Sequence, residues 1–462
     1  MPVPAPDPAE EAEPAGARDA ARRGEMLYLL EDRPGPAVAS CAALQHLLSM
    51  FVALVTPALV ICNAMGLGAA DTRYVVSMAL IVSGVATFIQ ARRFGPLGSG
   101  LLAVQGTSFS FLGPLITAGT AGGLSLVFGL CLAGAFVEMI ASRGIPYLRR
   151  VLTPLVSGVV VTLIGLTLIE VAIRYSGGGE AAAAAGTFGD PQHVLLAAFV
   201  VLVIVFLNSR SRAWLRMSAV AGGLLAGYVV AWPLGMLDFS SFREAGWLTV
   251  PHPLRYGLDF DWRFFPPVVL VYLVTIVESC GDMTATSLFS GEPTSGPRYM
   301  RRLSNGVLGD GFNSMLASIF CTFPNTTFSQ NNSVIQLTGV ASRHVAYFLA
   351  PMLILLGIFP KVAGLFAAVP AAALGGASLV MFGAITVAGI RMMAQQALDR
   401  RATLIIATSL GLGMGITFEP DILAPYPEWL RNVLGSGIVT GGLTALLMNA
   451  LIPQRREAED VR

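Results

Sequence analysis

From residue 37 to residue 452 the sequence passes from one apolar stretch into the next, most of them about twenty residues long, and only 12% of the chain is charged. A soluble chain of 462 residues would need far more charge to cover its surface. About 20 mostly apolar residues, by contrast, are enough to cross the hydrocarbon of a bilayer as a helix. Inside lipid every backbone N–H and C=O must be satisfied within the protein, and apolar stretches of this length meet that demand as helices. The expected fold is therefore an all-α polytopic protein embedded in a lipid bilayer.

Fourteen segments can be counted: 37–62, 74–91, 100–118, 120–141, 150–172, 192–208, 216–237, 264–282, 305–321, 325–341, 344–360, 363–390, 402–418 and 431–452. Basic residues gather on the cytoplasmic side of membrane proteins. With the N-terminus placed inside, 22 of the 29 basic residues fall in cytoplasmic connections or tails, an asymmetry that a miscount of one span would break. Fourteen spans, with both termini in the cytoplasm, are expected. Residues 1–35, rich in Ala, Pro, Glu and Arg and without the apolar region of a cleavable signal, read as a disordered cytoplasmic tail. Residues 36–237 would form a first seven-span unit, 238–263 an extracellular or periplasmic connection, 264–452 a second seven-span unit, and 453–462 a short cytoplasmic tail.

The third and tenth segments are short and polar. GTSFS at 106–110 matches NTTFS at 325–329, so that Thr107, Phe109 and Ser110 recur 219 positions later as Thr326, Phe328 and Ser329. The third span of seven thus matches the third span of the next seven. Because seven is odd, the halves lie in opposite orientations, the pattern of an inverted-repeat transporter whose site lies where interrupted helices meet at the midplane. Gly106, Gly113 and Pro114 in one segment, and Pro324 with the Asn-Thr run in the other, disfavour a full helix. Thr, Ser and Phe in alternation suit a short strand in each. Each strand would lead into a half-helix whose N-terminus attracts acceptor atoms or anionic groups.

Carboxylates inside spans are costly and are functional candidates by default. Glu278 and Asp282, in VESCGDMTAT, are four apart on one helix face, and Asp310 lies in GVLGDGFNS. Glu278 is expected to take up and release a proton during transport; a carboxylate at a wet helix end, or one paired with a polar neighbour, is the alternative for all three. Glu138 and Glu170, near span ends, read as interfacial. His46 in ALQHLLSM is either an interhelical hydrogen-bonding group or part of a proton path. Phe109 and Phe328 either pack as ordinary membrane phenylalanines or hold a flat ring between them, at ~0.5–1.5 kcal/mol per stacked contact. The five cysteines have no paired spacing and the four histidines none of a ligand set, so neither a metal site nor an intramembrane enzyme is expected. No cofactor and no nucleic-acid partner is called for.

At SQNNSVIQLTGVASR (329–343), together with ESCGDMTAT, QGTSFSF (105–111) and LQHLLSM, the chain resembles the nucleobase–ascorbate transporter family, also termed nucleobase:cation symporter-2, over essentially its whole membrane region. The resemblance implies fourteen spans arranged as core and gate domains, purine or pyrimidine substrates, proton symport and homodimers. Glu278 resembles the family's substrate-binding glutamate, and Gln330 the motif residue that hydrogen-bonds the base. Asn331 resembles a residue needed for transport, Asp310 the ninth-span aspartate, and His46 the histidine that supports the site. Ser108, Phe109 and Ser110 match the strand that contacts substrate, and Ser329 and Phe328 belong to its counterpart. Uracil-type members tend to carry glutamate at the position of Gln330 and ascorbate-type members proline, so Gln330 resembles the xanthine and uric acid branch. Ser333 departs from the motif, which usually has glycine there, and would either crowd the half-helix or add a hydrogen bond. With Gln330 and Ser108 it is a candidate for setting specificity between xanthine and uric acid.

The expected function is a purine importer driven by protons, with sodium as the other possible ion. A uracil permease is the nearest alternative. A sulfate-permease-type anion transporter is a more distant one, because Glu278 would repel its cargo.

Overall fold

The computed structural model of the chain describes residues 26–145, 153–212, 215, 218–237, 239–394, 398–427, 430–431 and 434–452. Within it the apolar stretches form helices α1 (Pro36–Ala64), α2 (Ala69–Arg92), α3 (Leu112–Ala141), α4 (Pro154–Ser176), α5 (Pro191–Asn208) and α6 (Ala219–Ala231). The second half supplies α7 (Phe265–Phe289), α8 (Gly296–Ile319), α9 (Gln330–Thr338), α10 (His344–Ile358), α11 (Ala371–Met393), α12 (Arg400–Phe418) and α13 (Gly437–Leu451). Among the described residues eight helices are long and apolar enough to cross a membrane, and α6, α10 and α13 are shorter apolar helices. The chain is an integral membrane protein with a helical, polytopic fold.

Helix ends follow local chemistry more closely than they follow hydropathy. Proline stands in the first turn of α1, α4, α5, α7 and α8, where its missing N–H costs no hydrogen bond. The helix of the ninth segment, expected from residue 305, begins at Gly296. Its first turns carry Arg298, Arg301 and Arg302, which a hydropathy window does not register. The third and fourth segments are joined in one helical run, α3, bent at Gly123, whose φ of 71° belongs to the left-handed region that a residue without Cβ adopts freely.

Packing is densest within two groups of helices. One contains α1, α2, α3, α7, α8 and α10, and the other α4, α5, α6, α11, α12 and α13. Small residues permit the closest approaches, as expected where lipid removes the hydrophobic drive between helices. A Cβ at Gly389 of α11 would lie 2.5 Å from Thr162 N and 2.7 Å from Gly158 O of α4. The two backbones therefore touch at this crossing, and no other residue fits there.

Two three-residue strands, β1 (Gln105–Thr107) and β2 (Asn325–Thr327), form a two-stranded antiparallel sheet in which Gly106 faces Thr326. The last ten residues of the expected N-terminal tail are ordered. Residues 27–31 run beside 339–343, with Leu27 N donating to Gly339 O at 2.8 Å, Ala341 N to Tyr28 O at 2.9 Å, and Arg343 pairing with Glu31. Residues 1–25 and 453–462 lie outside the described residues. Glu138, expected at an interface, is instead fully buried between helices, while Glu170 is exposed. Amphipathic periodicity is too weak in a span that is apolar all round to tell an interior face from a membrane surface.

Candidate functional site

The sheet of β1 and β2 is longer in hydrogen bonds than in assigned residues. Phe328 N donates to Val104 O at 3.0 Å and Ser108 N to Pro324 O at 3.1 Å, so the two polar segments cross back to back within the protein. Side chains behind the crossing pin it: Gln105 Nε2 donates to Thr327 Oγ1 at 2.9 Å, and Ser314 Oγ to Asn325 O at 3.1 Å. Each strand then passes into a helix. Ser108 Oγ accepts from Ser110 N at 3.3 Å to cap a 3-10 turn, Phe109–Phe111, that continues into α3. On the other side Phe328 and Ser329 lead into α9 at Gln330. Two helix N-termini thereby border one cavity, where an acceptor-rich ligand is favoured.

The cavity has a volume of about 940 Å³. Ser108, Phe109 and Ser110 line it from the first strand's exit, and Phe328, Ser329 and Gln330 from the second's. Glu278, on α7, reaches the same wall, and its Oε2 has no hydrogen-bond partner. The opposite wall is mainly apolar, from Val161 of α4, Val220 and Ala221 of α6, and Val380, Met381 and Ile385 of α11, with Asn208 of α5 and Arg391 of α11 at its edge. One wall rich in donors and acceptors and one mainly apolar suit a flat, largely apolar ligand with a polar edge. Phe109 meets Phe382 of α11 edge-on, at a centroid distance of 5.9 Å, so the crossing touches the opposite group of helices.

Of the remaining candidates only Ser333 is in the cavity wall. Asp282 accepts from Ser329 Oγ at 2.8 Å, a latch between α7 and the start of α9. Asn331 is fully buried and turned away, its Nδ2 donating to Leu102 O at 2.5 Å; it ties α9 to the segment before β1 instead of reaching into the cavity. Asp310 lies behind the strands, with Oδ1 accepting from Gln90 Nε2 at 2.5 Å and Oδ2 without a partner. His46 is fully buried in α1, one turn before the cavity residue Ser49, and neither ring nitrogen has a partner. Ser333 faces the cavity, so its hydroxyl does not crowd the half-helix, and it makes no hydrogen bond among the described residues.

Sequence reading missed Ser49, Thr327, Gln336 and Arg391 in the lining. Gln336 was open to detection: Gln330, Ser333 and Gln336 recur every third residue on one face of α9. Ser49 and Arg391 come from helices whose rotation only packing decides, and Thr327 ends β2.

A Permease family model, Xan_ur_permease, matches residues 38–422. The chain is 49% identical over 446 residues to xanthine permease XanP of Escherichia coli (strain K12), covering 94% of this chain and 96% of that protein. It is 44% identical over 446 residues to xanthine permease XanQ of the same strain, covering 95% and 96%. It is 34% identical over 418 residues to the nucleobase transporter PlUacP of Paenibacillus larvae subsp. larvae, covering 90% and 95%. Among solved structures, the transmembrane domain of the cyanobacterial bicarbonate transporter BicA is similar at a TM-score of 0.60 and 15% identity, over 89% of this chain and 96% of that one. The murine anion transporter Slc26a9 in its inward-facing state is similar at 0.59 and 12%, over 96% and 73%. At such identities the likeness carries the fold alone.

Proposed function

Because the chain belongs to this permease family, the nucleobase–ascorbate transporters, we propose that it imports a purine base, xanthine or uric acid, by proton symport. The observation that carries the reading is the meeting, on one cavity wall, of Glu278 with an unpaired carboxylate oxygen and Gln330 with its amide. A purine-dione edge presents ring N–H donors and carbonyl acceptors. A carboxylate answers the first, and an amide, both donor and acceptor, answers the second. Phe109 and Phe328 would bracket the ring, while Ser108, Ser110 and Ser329 lend hydroxyls and helix-end backbone.

The described path is consistent with fourteen crossings in two inverted repeats of seven, residues 36–237 and 264–452 joined by 238–263. α3 supplies two legs on either side of Gly123, and the short α9 is completed by β2. The group of helices that carries the crossing would be the core, and the group built on α4 and α11 the gate. The cavity extends to Asn208, Gln336 and Arg391, on the side where arginine asymmetry places the cytoplasm. This is the geometry of release to the inside. Both termini would be cytoplasmic and the working unit a homodimer. One charge moving across 100 mV supplies ~2.3 kcal/mol, or roughly a fifty-fold concentration ratio.

Uptake of labelled xanthine tests the reading, in cells lacking their own purine transporters, with and without a protonophore and against excess uric acid, uracil and sulfate. Protonophore-sensitive uptake blocked by uric acid, with Glu278→Gln inactive, is expected. Uptake competed by uracil or sulfate in place of uric acid would overturn it.

A further inference from the structure

Three of the buried carboxylates, Glu278, Asp282 and Asp310, belong to the site or its supports. A fourth, Glu138 in the second leg of α3, does not. It is fully buried, and neither Oε1 nor Oε2 has a hydrogen-bond partner. A carboxylate is rarely enclosed this way in a membrane protein without a function, since isolated charge and unmet acceptors are both unfavourable there.

Across the helix seam from Glu138, α8 carries another acid, Asp310. α3 and α8 touch at the adjacent residues: a Cβ on Gly311 would lie 3.0 Å from Met139 N and 3.2 Å from Ala135 O. Glu138 thus lies between the two α3 residues that meet α8 at Gly311, the neighbour of Asp310. Asp310 Oδ2, like both oxygens of Glu138, has no partner. From α7, Tyr272 also faces Glu138, but its hydroxyl is committed to Cys131 O at 2.8 Å. α1 and α4 also pack on α3, with His46 in α1 and Glu170 and Arg174 in α4.

Beyond Glu138 the seam carries two hydroxyls, both donating to backbone carbonyls. One turn on, Ser142 Oγ donates to Met139 O at 2.6 Å, and Ser304 Oγ of α8 donates to Ser142 O at 2.8 Å. Ser304 is partly exposed, at the end of the helix pair where Arg143, Arg301 and Arg302 gather.

We propose that Glu138 is a second proton-carrying residue, which accepts the proton from Asp310 and releases it to water at the cytoplasmic end of the α3–α8 seam. One O–H bond breaks at Asp310 and one forms at Glu138; water at the cytoplasmic end then takes the proton, and no other group changes. The role rests on the proton-symport reading above.

The test uses the full chain in proteoliposomes carrying an internal pH dye, with xanthine as the probe. Glu138→Gln, which keeps shape and removes the titrating group, should exchange labelled for unlabelled xanthine at the wild-type rate. Its proton-driven accumulation should fall at least tenfold, and its uptake should lose its pH dependence. Glu138→Asp should restore accumulation with a displaced pH profile. Wild-type accumulation and pH profile in Glu138→Gln would overturn the proposal, and so would equal loss of exchange and accumulation in both variants, the mark of a structural role. If Glu138→Gln does not reach the membrane, Glu138→Asp decides by its pH profile, and an unshifted profile overturns the proposal. Wild-type accumulation indifferent to a protonophore would remove the symport reading itself, and this role with it.

Discussion

Adding one methyl group at Gly106 should separate the geometry of the strand crossing from its chemistry. A Cβ there would lie 2.0 Å from Leu54 Cδ2 and 2.2 Å from Phe328 Cε2, against ~3.5–4.0 Å for carbon atoms at rest. Leu54 is enclosed in the core of α1 and has nowhere to go. Phe328 borders the cavity, so its ring is the group that yields. Overpacking of this kind costs about 1–3 kcal/mol of stability. Displacing the ring would also forfeit the stacking contact proposed for it, about 0.5–1.5 kcal/mol, or roughly two- to twelve-fold in affinity. Gly113→Ala is the control, because the nearest atom to its added Cβ is Ile438 Cδ1 at 3.4 Å, an ordinary contact. Thermal unfolding and calorimetric titration with xanthine on the purified chain would read both effects. Gly106→Ala with an unchanged melting temperature and dissociation constant would refute the reasoning, as would a Gly113→Ala loss of equal size.

Asn331→Ala removes the donor to Leu102 O and leaves a buried carbonyl unpaired. A loss of about 1–3 kcal/mol follows, and because the residue is outside the cavity it should appear in the unfolding temperature before it appears in competition between purines. Ser333→Gly removes a cavity-facing hydroxyl that makes no hydrogen bond among the described residues. Folding should be untouched, with any effect confined to the ratio of xanthine to uric acid affinities, measured by mutual competition. Gly389→Val forces side-chain atoms against the backbone of α4 near Thr162 and Gly158. Too little protein should reach the membrane to measure uptake, whereas Gly383→Ala, with nothing within 4 Å, should express normally.

Much of this was legible in the residues. Apolar length gives helices, because lipid offers no partner to an exposed backbone. The Thr-Phe-Ser recurrence marked the two segments that form β1 and β2, and the carboxylate spacing in VESCGDMTAT placed Glu278 and Asp282 on one helix. The edges were less legible: α8 starts nine residues ahead of its apolar stretch, and residues 27–31 pair with the segment after α9. Both depend on capping and long-range backbone contacts that a window of hydropathy does not contain.

The sequence by itself determined that the chain lives in a membrane, that its two halves carry matching polar breaks, and that Glu278 and Gln330 are the residues to watch. Only the tertiary structure decided which polar residues share the cavity. It turned Asn331 inward and Ser333 outward on one short helix, set Asp310 behind the strands, and enclosed Glu138 beside it. The reason is rotational. In a span apolar on every side, composition fixes that a helix forms but not which face meets its neighbours, and that is settled by where glycines let backbones touch.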